Sequence, residues 1–162
     1  MIQSFDPIIF PDTKILVLGS IPGELSLQQH EYYGNKNNAF WKILFSLFET
    51  NFSHDYSDKI NLLEKSKIGL WDTIFSCQRK GSSDAAIQNV VVNQIADLCL
   101  KYPNINYIAF NGKTSENYFR KYIGTVQNVK FLSLPSTSPA NAQMNFETKL
   151  NKWKILVEKL NL

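Results

Sequence analysis

Four short apolar segments, separated by helical patterns, constrain the fold of this chain most strongly. They cover residues 15–19, 68–72, 107–110 and 129–134, and Val, Ile, Leu and Phe dominate them without strict alternation. Continuous apolar strands of this kind are typical of a parallel sheet that helices cover on both faces. The sequence therefore predicts a three-layer α/β/α fold around a central four-stranded parallel sheet.

Helical periodicity fills the segments between these strands. Apolar residues at 41, 44, 45 and 48 keep the spacing of one helix face, and Asn38 stands where it can cap that helix. Similar patterns predict helices around 59–66, over 91–102 and 113–122, and from about residue 145 to the end. Since no repeat or linker interrupts the 162 residues, we expect one domain.

Composition excludes several classes of protein. Apolar residues make up 44% of the chain and aromatic residues 13%, which argues against disorder. The net charge of +3 is compatible with nucleic acid binding but also with many other functions. Cys77 and Cys99 form no CxxC pair, and His30 and His54 lack metal-site or triad spacing, so neither a metal nor another cofactor is expected. Without a signal sequence or an apolar span of 18 residues, a soluble cytoplasmic protein is expected.

The segment that follows the first predicted strand is the strongest site candidate. The turn Gly19-Ser20-Ile21-Pro22-Gly23 lacks the glycine spacing of a dinucleotide or Walker loop, yet glycines let a ligand approach the backbone closely. Downstream, Tyr33 offers a ring for stacking, and the asparagines that follow it end with Asn38. These asparagines are able to orient a water, although turn and capping chemistry is an equally open interpretation.

Further candidates lie after the other strands. Asp72 ends the second strand, and Glu24 is a second carboxylate that could take part in catalysis. The predicted loop over residues 79–84 combines cations and hydroxyls, which suits phosphate contacts but also describes an ordinary solvated loop. Its candidate residues are Arg79, Lys80, Ser82 and Ser83. Lys113 at a helix start and a second small-residue loop, residues 136–138, could add further phosphate donors. The DNA-binding candidates in this second loop are Ser136, Thr137, Ser138 and Pro139.

Several of these motifs, in this order, resemble the uracil-DNA glycosylase superfamily. The resemblance rests on GSIPG (19–23), YGNKNNAFW (33–41), GLWD (69–72), GSSD (81–84), NGK (111–113) and LPSTSPA (134–140). The hypoxanthine-DNA, or deoxyinosine, glycosylase branch is the most similar, and Asn111-Gly112-Lys113 also resembles mismatch-specific thymine/uracil members. The resemblance implies one DNA glycosylase domain over residues 1–162, acting as a monomer on double-stranded DNA that contains a deaminated base.

The resemblance also implies roles for individual residues. Ile21 stands where mismatch-specific relatives have a catalytic Asn, which implies that Asn38 positions the water instead. Leu134-Pro135 replaces the His of the fast uracil enzymes. The implied base pocket consists of Gly19, Ser20, Ile21, Pro22, Gly23, Tyr33, Asp72 and Asn111.

The implied reaction is monofunctional. The enzyme would flip out hypoxanthine or uracil, hydrolyse the N-glycosidic bond and leave an abasic site for base excision repair. Two alternatives remain open at this point. One is a catalytically degenerate DNA-binding relative, and the other is a flavodoxin-like module that binds a small molecule or nucleotide.

Overall fold

The computed structural model describes residues 1–161, and a four-stranded parallel sheet forms its centre. The strands are β1 (Ile2–Gln3), β2 (Ile15–Gly19), β3 (Ile68–Asp72), β4 (Ile74–Gln78), β5 (Gln88–Val92), β6 (Tyr107–Asn111) and β7 (Lys130–Leu134). The central sheet has the order β3-β2-β6-β7, and every neighbouring pair is parallel. All four predicted strands are present, with the last two shifted by one residue at one end.

Residues 1–161 contain seven α-helices, most of which cover the two faces of this sheet. They are α1 (Glu24–Gln29), α2 (Phe40–Leu47), α3 (Tyr56–Ser66), α4 (Ile95–Lys101), α5 (Lys113–Tyr122), α6 (Phe146–Trp153) and α7 (Ile155–Leu160). No helix within residues 1–161 is both long enough and apolar enough to cross a membrane.

The two faces of the central sheet carry separate hydrophobic cores. In β2, Ile15 and Val17 point to the core that α2, α3, α6 and α7 cover, whereas Leu16 and Leu18 point to the core under α4 and α5. All four side chains are fully buried, which explains why the strand reads as a continuous apolar run. The predicted three-layer α/β/α architecture is therefore confirmed.

A second, antiparallel sheet of order β1-β4-β5 was not predicted. The predicted helix over residues 91–102 is wrong at its start, because Val91 lies in β5 and the helix begins at Ile95. Three consecutive valines at 90–92 favour an extended backbone, and they pair with β4. Val91 and Ile95 are four residues apart, as on one helix face, but the first lies in a strand and the second begins the helix.

The other helix predictions differ in detail. The helix over 113–122 is confirmed, and the helix predicted around 59–66 begins earlier, after the cap Asp55, whose carboxylate accepts from Ser57 N at 2.9 Å. The last predicted helix is divided into α6 and α7 at Lys154. Helix α1 was missed because six residues carry too little periodicity to detect.

The parallel strands deliver chemically active residues to one edge of the sheet. Gly19 of β2 pairs in register with Asp72 of β3, and Asn111 of β6 pairs with Leu134 of β7. These are the last residues of their strands. In open α/β sheets ligands bind outside the carboxyl ends of the strands, so this edge is where a site is expected.

Candidate active site

A cavity of about 870 Å³ opens at this edge of the sheet. Its lining comes from the turn after β2 with the start of α1, from the segment around Tyr33 and Asn38, and from the loops that follow the other strands. Three carboxylates line it, Glu24, Asp72 and Asp84, and no Lys or Arg does among the described residues. We refer to it as the main cavity.

Gly19 lets two polar groups meet at the floor of the main cavity. A Cβ atom on this residue would lie 2.7 Å from Asp72 Oδ1 and 3.1 Å from the Tyr33 hydroxyl. The first distance is shorter than a carbon and an oxygen tolerate without a shift of the carboxyl group. The glycine is therefore needed for close approach between the turn, the carboxyl and the phenol.

Asp72 has the environment of a neutral carboxyl group. The residue is 4% exposed, and its Oδ2 atom is buried without a hydrogen-bond partner among the described residues. Burial, the largest effect, and the nearby Asp84 together raise the pKa of Asp72 to about 7, against the opposing effect of the Arg79 cation. An unpaired oxygen lone pair is tolerated better than an unpaired hydroxyl. In the protonated form, the proton is therefore expected on Oδ1, beside Gly19 and Tyr33.

Tyr33 is held by an aromatic stack. Its ring lies on Phe40, with centroids 4.1 Å apart and planes at 20°, and Phe40 packs edge-on against Trp153. Burial, followed by the nearby Asp72, raises the pKa of Tyr33 above its ordinary value. One face of the Tyr33 ring is thus covered by Phe40, and the residue also lines the main cavity, where its ring could meet a ligand. Its neighbour Tyr32 instead closes the core, with its hydroxyl donating to Asp6 O at 2.8 Å.

Asn111 connects three parts of the site. Its Nδ2 group donates to the Tyr33 hydroxyl at 3.2 Å and to Thr137 Oγ1 at 3.0 Å, while Oδ1 accepts from Thr137 N at 2.9 Å. Both amide protons are therefore used within the protein, and Oδ1 retains one lone pair for a ligand. The side chain fixes the 136–138 loop against the aromatic segment.

Asn38 combines a capping contact with a position on the cavity wall. Its Oδ1 accepts from Phe40 N at 3.0 Å at the start of α2, so the predicted capping chemistry is present one residue before the formal cap, Ala39. Ala39 N in turn donates to Thr137 O at 3.0 Å. An amide oxygen has two lone pairs, so the capping contact leaves one for a water.

Hydrogen bonds brace the 19–23 turn against the 82–84 loop. Arg79 donates from one terminal nitrogen to Pro22 O and from Nε to Gly81 O, both at 2.7 Å. Ser20 Oγ donates to Asp84 Oδ1 at 2.9 Å, and Ser82 Oγ accepts from Glu24 N at the same distance. Arg79 thus has a structural task that its place in the sequence did not reveal.

The comparison with protein families decides the relationship of the chain. Residues 7–159 match the model of the uracil DNA glycosylase superfamily. The chain belongs to this superfamily. The match takes in all elements that form the main cavity.

Individual superfamily members give the same result. The chain is 39% identical over 117 residues to a hypoxanthine DNA glycosylase of Methanosarcina barkeri, covering 72% of this chain and 74% of that protein. A hypoxanthine DNA glycosylase of Methanosarcina acetivorans is 31% identical over 153 residues, covering 94% and 95%. The solution NMR structure of a candidate uracil DNA glycosylase from Methanosarcina acetivorans superimposes with a TM-score of 0.85 at 30% identity, and both chains are fully covered.

Most residues that the superfamily pattern singled out come together in the main cavity. Those that line it are Gly19, Ser20, Ile21, Pro22, Gly23, Tyr33, Asn38, Asp72, Ser82, Ser83, Asn111, Ser136, Thr137, Ser138 and Pro139. The Ile21 side chain is 7% exposed and packs with Ile74, Cys77 and Ile87. It therefore cannot orient a water.

Three predicted DNA-binding residues do not line the main cavity: Arg79, Lys80 and Lys113. Sequence reasoning also missed part of the wall, because α1 contributes Leu25, Ser26 and Gln28 to the lining. Ser26 Oγ accepts from Gly34 N at 2.9 Å and so attaches this helix to the segment that carries Tyr33. The only signal was a helix-forming hexapeptide directly after Pro22-Gly23.

Proposed function

We propose that this DNA glycosylase removes deaminated bases, hypoxanthine first and uracil second, from double-stranded DNA by simple hydrolysis of the N-glycosidic bond. The decisive observation is the buried carboxyl of Asp72, whose pKa is raised to about 7, at the floor of a cavity that also offers a stacking ring. Two relatives that are 39% and 31% identical are named hypoxanthine DNA glycosylases, which supports the choice of base. Residues 1–162 act as one domain and as a monomer.

The base enters the main cavity after flipping out of the duplex. Flipping costs a few kcal/mol, and least for a base in a mismatch, as deaminated bases commonly are. The free face of Tyr33 stacks on the base, with stacking contributing roughly 1–3 kcal/mol. The glycines of the 19–23 turn bring the backbone close to the edge of the base.

Asp72 accounts for selection of deaminated bases. Deamination replaces an exocyclic amino group by a carbonyl, so a donor on the base becomes an acceptor. With the proton on Oδ1, Asp72 donates a hydrogen bond to that carbonyl oxygen. An adenine or cytosine amino group at the same place would face a donor, and one of the two groups would stay unpaired at a cost of about 1–3 kcal/mol.

Catalysis consists of stabilising the leaving base and orienting the water. Negative charge develops on the base as the bond breaks, and a preorganised donor such as Asp72 strengthens as this charge grows. The second lone pair of Asn38 Oδ1 holds a water near the anomeric carbon. Because an amide does not accept a proton as a carboxylate does, Asn38 orients the water without acting as a strong general base.

The test is an excision assay on defined duplexes. Labelled duplexes with a single hypoxanthine, uracil, xanthine or thymine mismatch are incubated with the protein and then treated with alkali. We expect alkali-labile breaks at hypoxanthine first and then at uracil, without breaks before the alkali step.

Other outcomes select the alternatives. Binding to duplexes without any break would identify a catalytically degenerate relative. Absence of DNA binding would identify a module for a small molecule. A break without alkali would contradict simple hydrolysis.

A further inference from the structure

A second, smaller cavity of about 430 Å³ adjoins the candidate site at Asn38. It is lined by residues 36–39, Lys42 of α2, and Phe146 and Lys149 of α6. We refer to it as the basic groove. Asn38 also lines the main cavity, so the two cavities meet at this side chain.

The basic groove has the charge of an anion site. Lys36, Lys42 and Lys149 line it, and no carboxylate does among the described residues. Lys149 is 5% exposed although its ammonium group has three protons to donate, and its Nζ donates to Ser138 O at 3.3 Å. Burial lowers the pKa of Lys149. A bound anion would therefore stabilise this ammonium.

The main cavity has the opposite charge. Glu24, Asp72 and Asp84 line it without any Lys or Arg among the described residues, so an anion is disfavoured there. The Arg79 guanidinium, which belongs to the loop that shapes this wall, is used in the bonds to Pro22 O and Gly81 O. The charges of the two cavities are thus separated across Asn38.

We propose that the basic groove binds a backbone phosphate of the DNA strand that carries the target nucleotide. With the base in the main cavity and the sugar at Asn38, the adjoining phosphate lies at the three lysines. The position of the base rests on the proposed function, but the contact between the groove and DNA phosphate does not. The 79–84 loop, which was also predicted from sequence to bind phosphate, contributes Ser82, Ser83 and Asp84 to the wall of the main cavity.

The salt dependence of DNA binding tests this proposal. Fluorescence anisotropy would measure binding of a duplex with one tetrahydrofuran abasic site, which cannot be cleaved, at several salt concentrations. The slope of log K against log salt concentration is negative, and each lost phosphate contact reduces its magnitude by about 0.9. Because the three lysines share one phosphate, we expect Lys36→Gln and Lys42→Gln each to lose part of this amount, and the double variant to lose up to about 0.9.

Two other lysines serve as comparisons. Lys101 is exposed at the end of α4, under the opposite face of the sheet, and Lys101→Gln should keep the wild-type slope. Lys80→Gln examines the 79–84 loop, and a slope loss confined to this variant would overturn the proposal. Lys149→Met, which keeps the buried alkyl chain, should also lower the slope while retaining the wild-type circular dichroism spectrum.

Failure of this proposal is distinguishable from failure of the proposed function. Unchanged slopes in the Lys36 and Lys42 variants, together with normal excision, would overturn the proposal that the basic groove binds phosphate. The proposed glycosylase activity would be unaffected. Lower slopes in a protein that excises no base would support the groove and contradict the activity.

Discussion

Asn38 caps α2, and its proposed chemical task is separable from this structural one by mutation. We expect Asn38→Ala to slow base release in single turnover by about 10²-fold, because the water loses its orientation. The same change removes the cap on Phe40 N and costs about 0.5–2 kcal/mol of stability. Single-turnover excision and thermal unfolding measure the two effects.

Asn145 provides the matched control for Asn38. It caps α6 by accepting from Thr148 N at 2.9 Å, and it does not line the main cavity. Asn145→Ala should therefore lose a similar amount of stability and keep the wild-type rate. Equal rate losses in both variants would show that the effect of Asn38 is only structural.

Tyr33 is expected to act through its ring. Tyr33→Ala should reduce excision by about 10- to 100-fold, which corresponds to roughly 1–3 kcal/mol of stacking. It should also lower Tm, because it uncovers Phe40. Tyr33→Phe keeps the stack and loses only the hydroxyl that accepts from Asn111, so its rate should stay within a few-fold of wild type. A large rate loss in the Phe variant would move the main role to the hydroxyl.

Asp72 makes stability depend on pH. Its pKa is raised from 3.8 to about 7 in the folded state, so the folded chain binds more protons than the unfolded chain between these values. The stabilising contribution of this proton is fully present below the lower value and is lost as pH rises through about 7.

Asp72→Asn removes this titration and keeps the shape of the side chain. The difference in Tm, wild type minus variant, should therefore decrease as the pH rises from 4 to 8, and it should stay constant above that range. Parallel Tm curves would show that Asp72 ionises normally. Excision by wild type should decline above about pH 7, because the ionised carboxylate no longer donates to the base.

At the scale of elements, the loop after β4 stabilises the turn after β2. Arg79→Ala removes both bonds of the guanidinium, to Pro22 O and Gly81 O, and should cost about 1–3 kcal/mol. We expect slower excision and an unchanged salt slope of DNA binding, since Arg79 braces the turn. Lys80→Ala, the exposed neighbour, should change neither quantity. A salt slope reduced in Arg79→Ala would restore the phosphate role predicted from sequence.

The elements also show what the sequence was able to predict. Strands β2, β3 and β6 were located within one residue because each is buried on both faces, and that produces a largely apolar run. Strand β4 was missed because its five residues, Ile-Phe-Ser-Cys-Gln, form neither an unbroken apolar run nor a strict alternation. The prediction of a helix over residues 91–102 was wrong at its start, because apolar spacing alone does not reveal that three consecutive valines prefer an extended backbone.

The candidate site was predictable to a similar degree. Its loops were found because small residues follow buried strands, and the superfamily resemblance grouped them. The role of Arg79 and the basic groove were not found, because both depend on contacts between segments far apart in the chain. Lys149 in α6, for example, reaches Ser138 in the loop after β7.

At the scale of the whole molecule, β3 of the parallel sheet leads into β4 of the antiparallel sheet through the single residue Thr73. Thr73 N donates to Gly19 O at 2.8 Å, and Ile74 N donates to Ser20 O at 3.0 Å, so the antiparallel sheet continues directly from the parallel one. We therefore expect a single cooperative unfolding transition. Far-ultraviolet circular dichroism and fluorescence of Trp41, Trp71 and Trp153 should give coincident midpoints, and separated midpoints would indicate two folding units.

The separation of charge across Asn38 has a consequence for which part of a nucleotide the protein admits. In the proposed mode of binding, the uncharged base crosses to the acidic side while the phosphate stays on the basic side. The carboxylates that line the main cavity disfavour a phosphate there, so the DNA backbone is kept outside while the base is inspected.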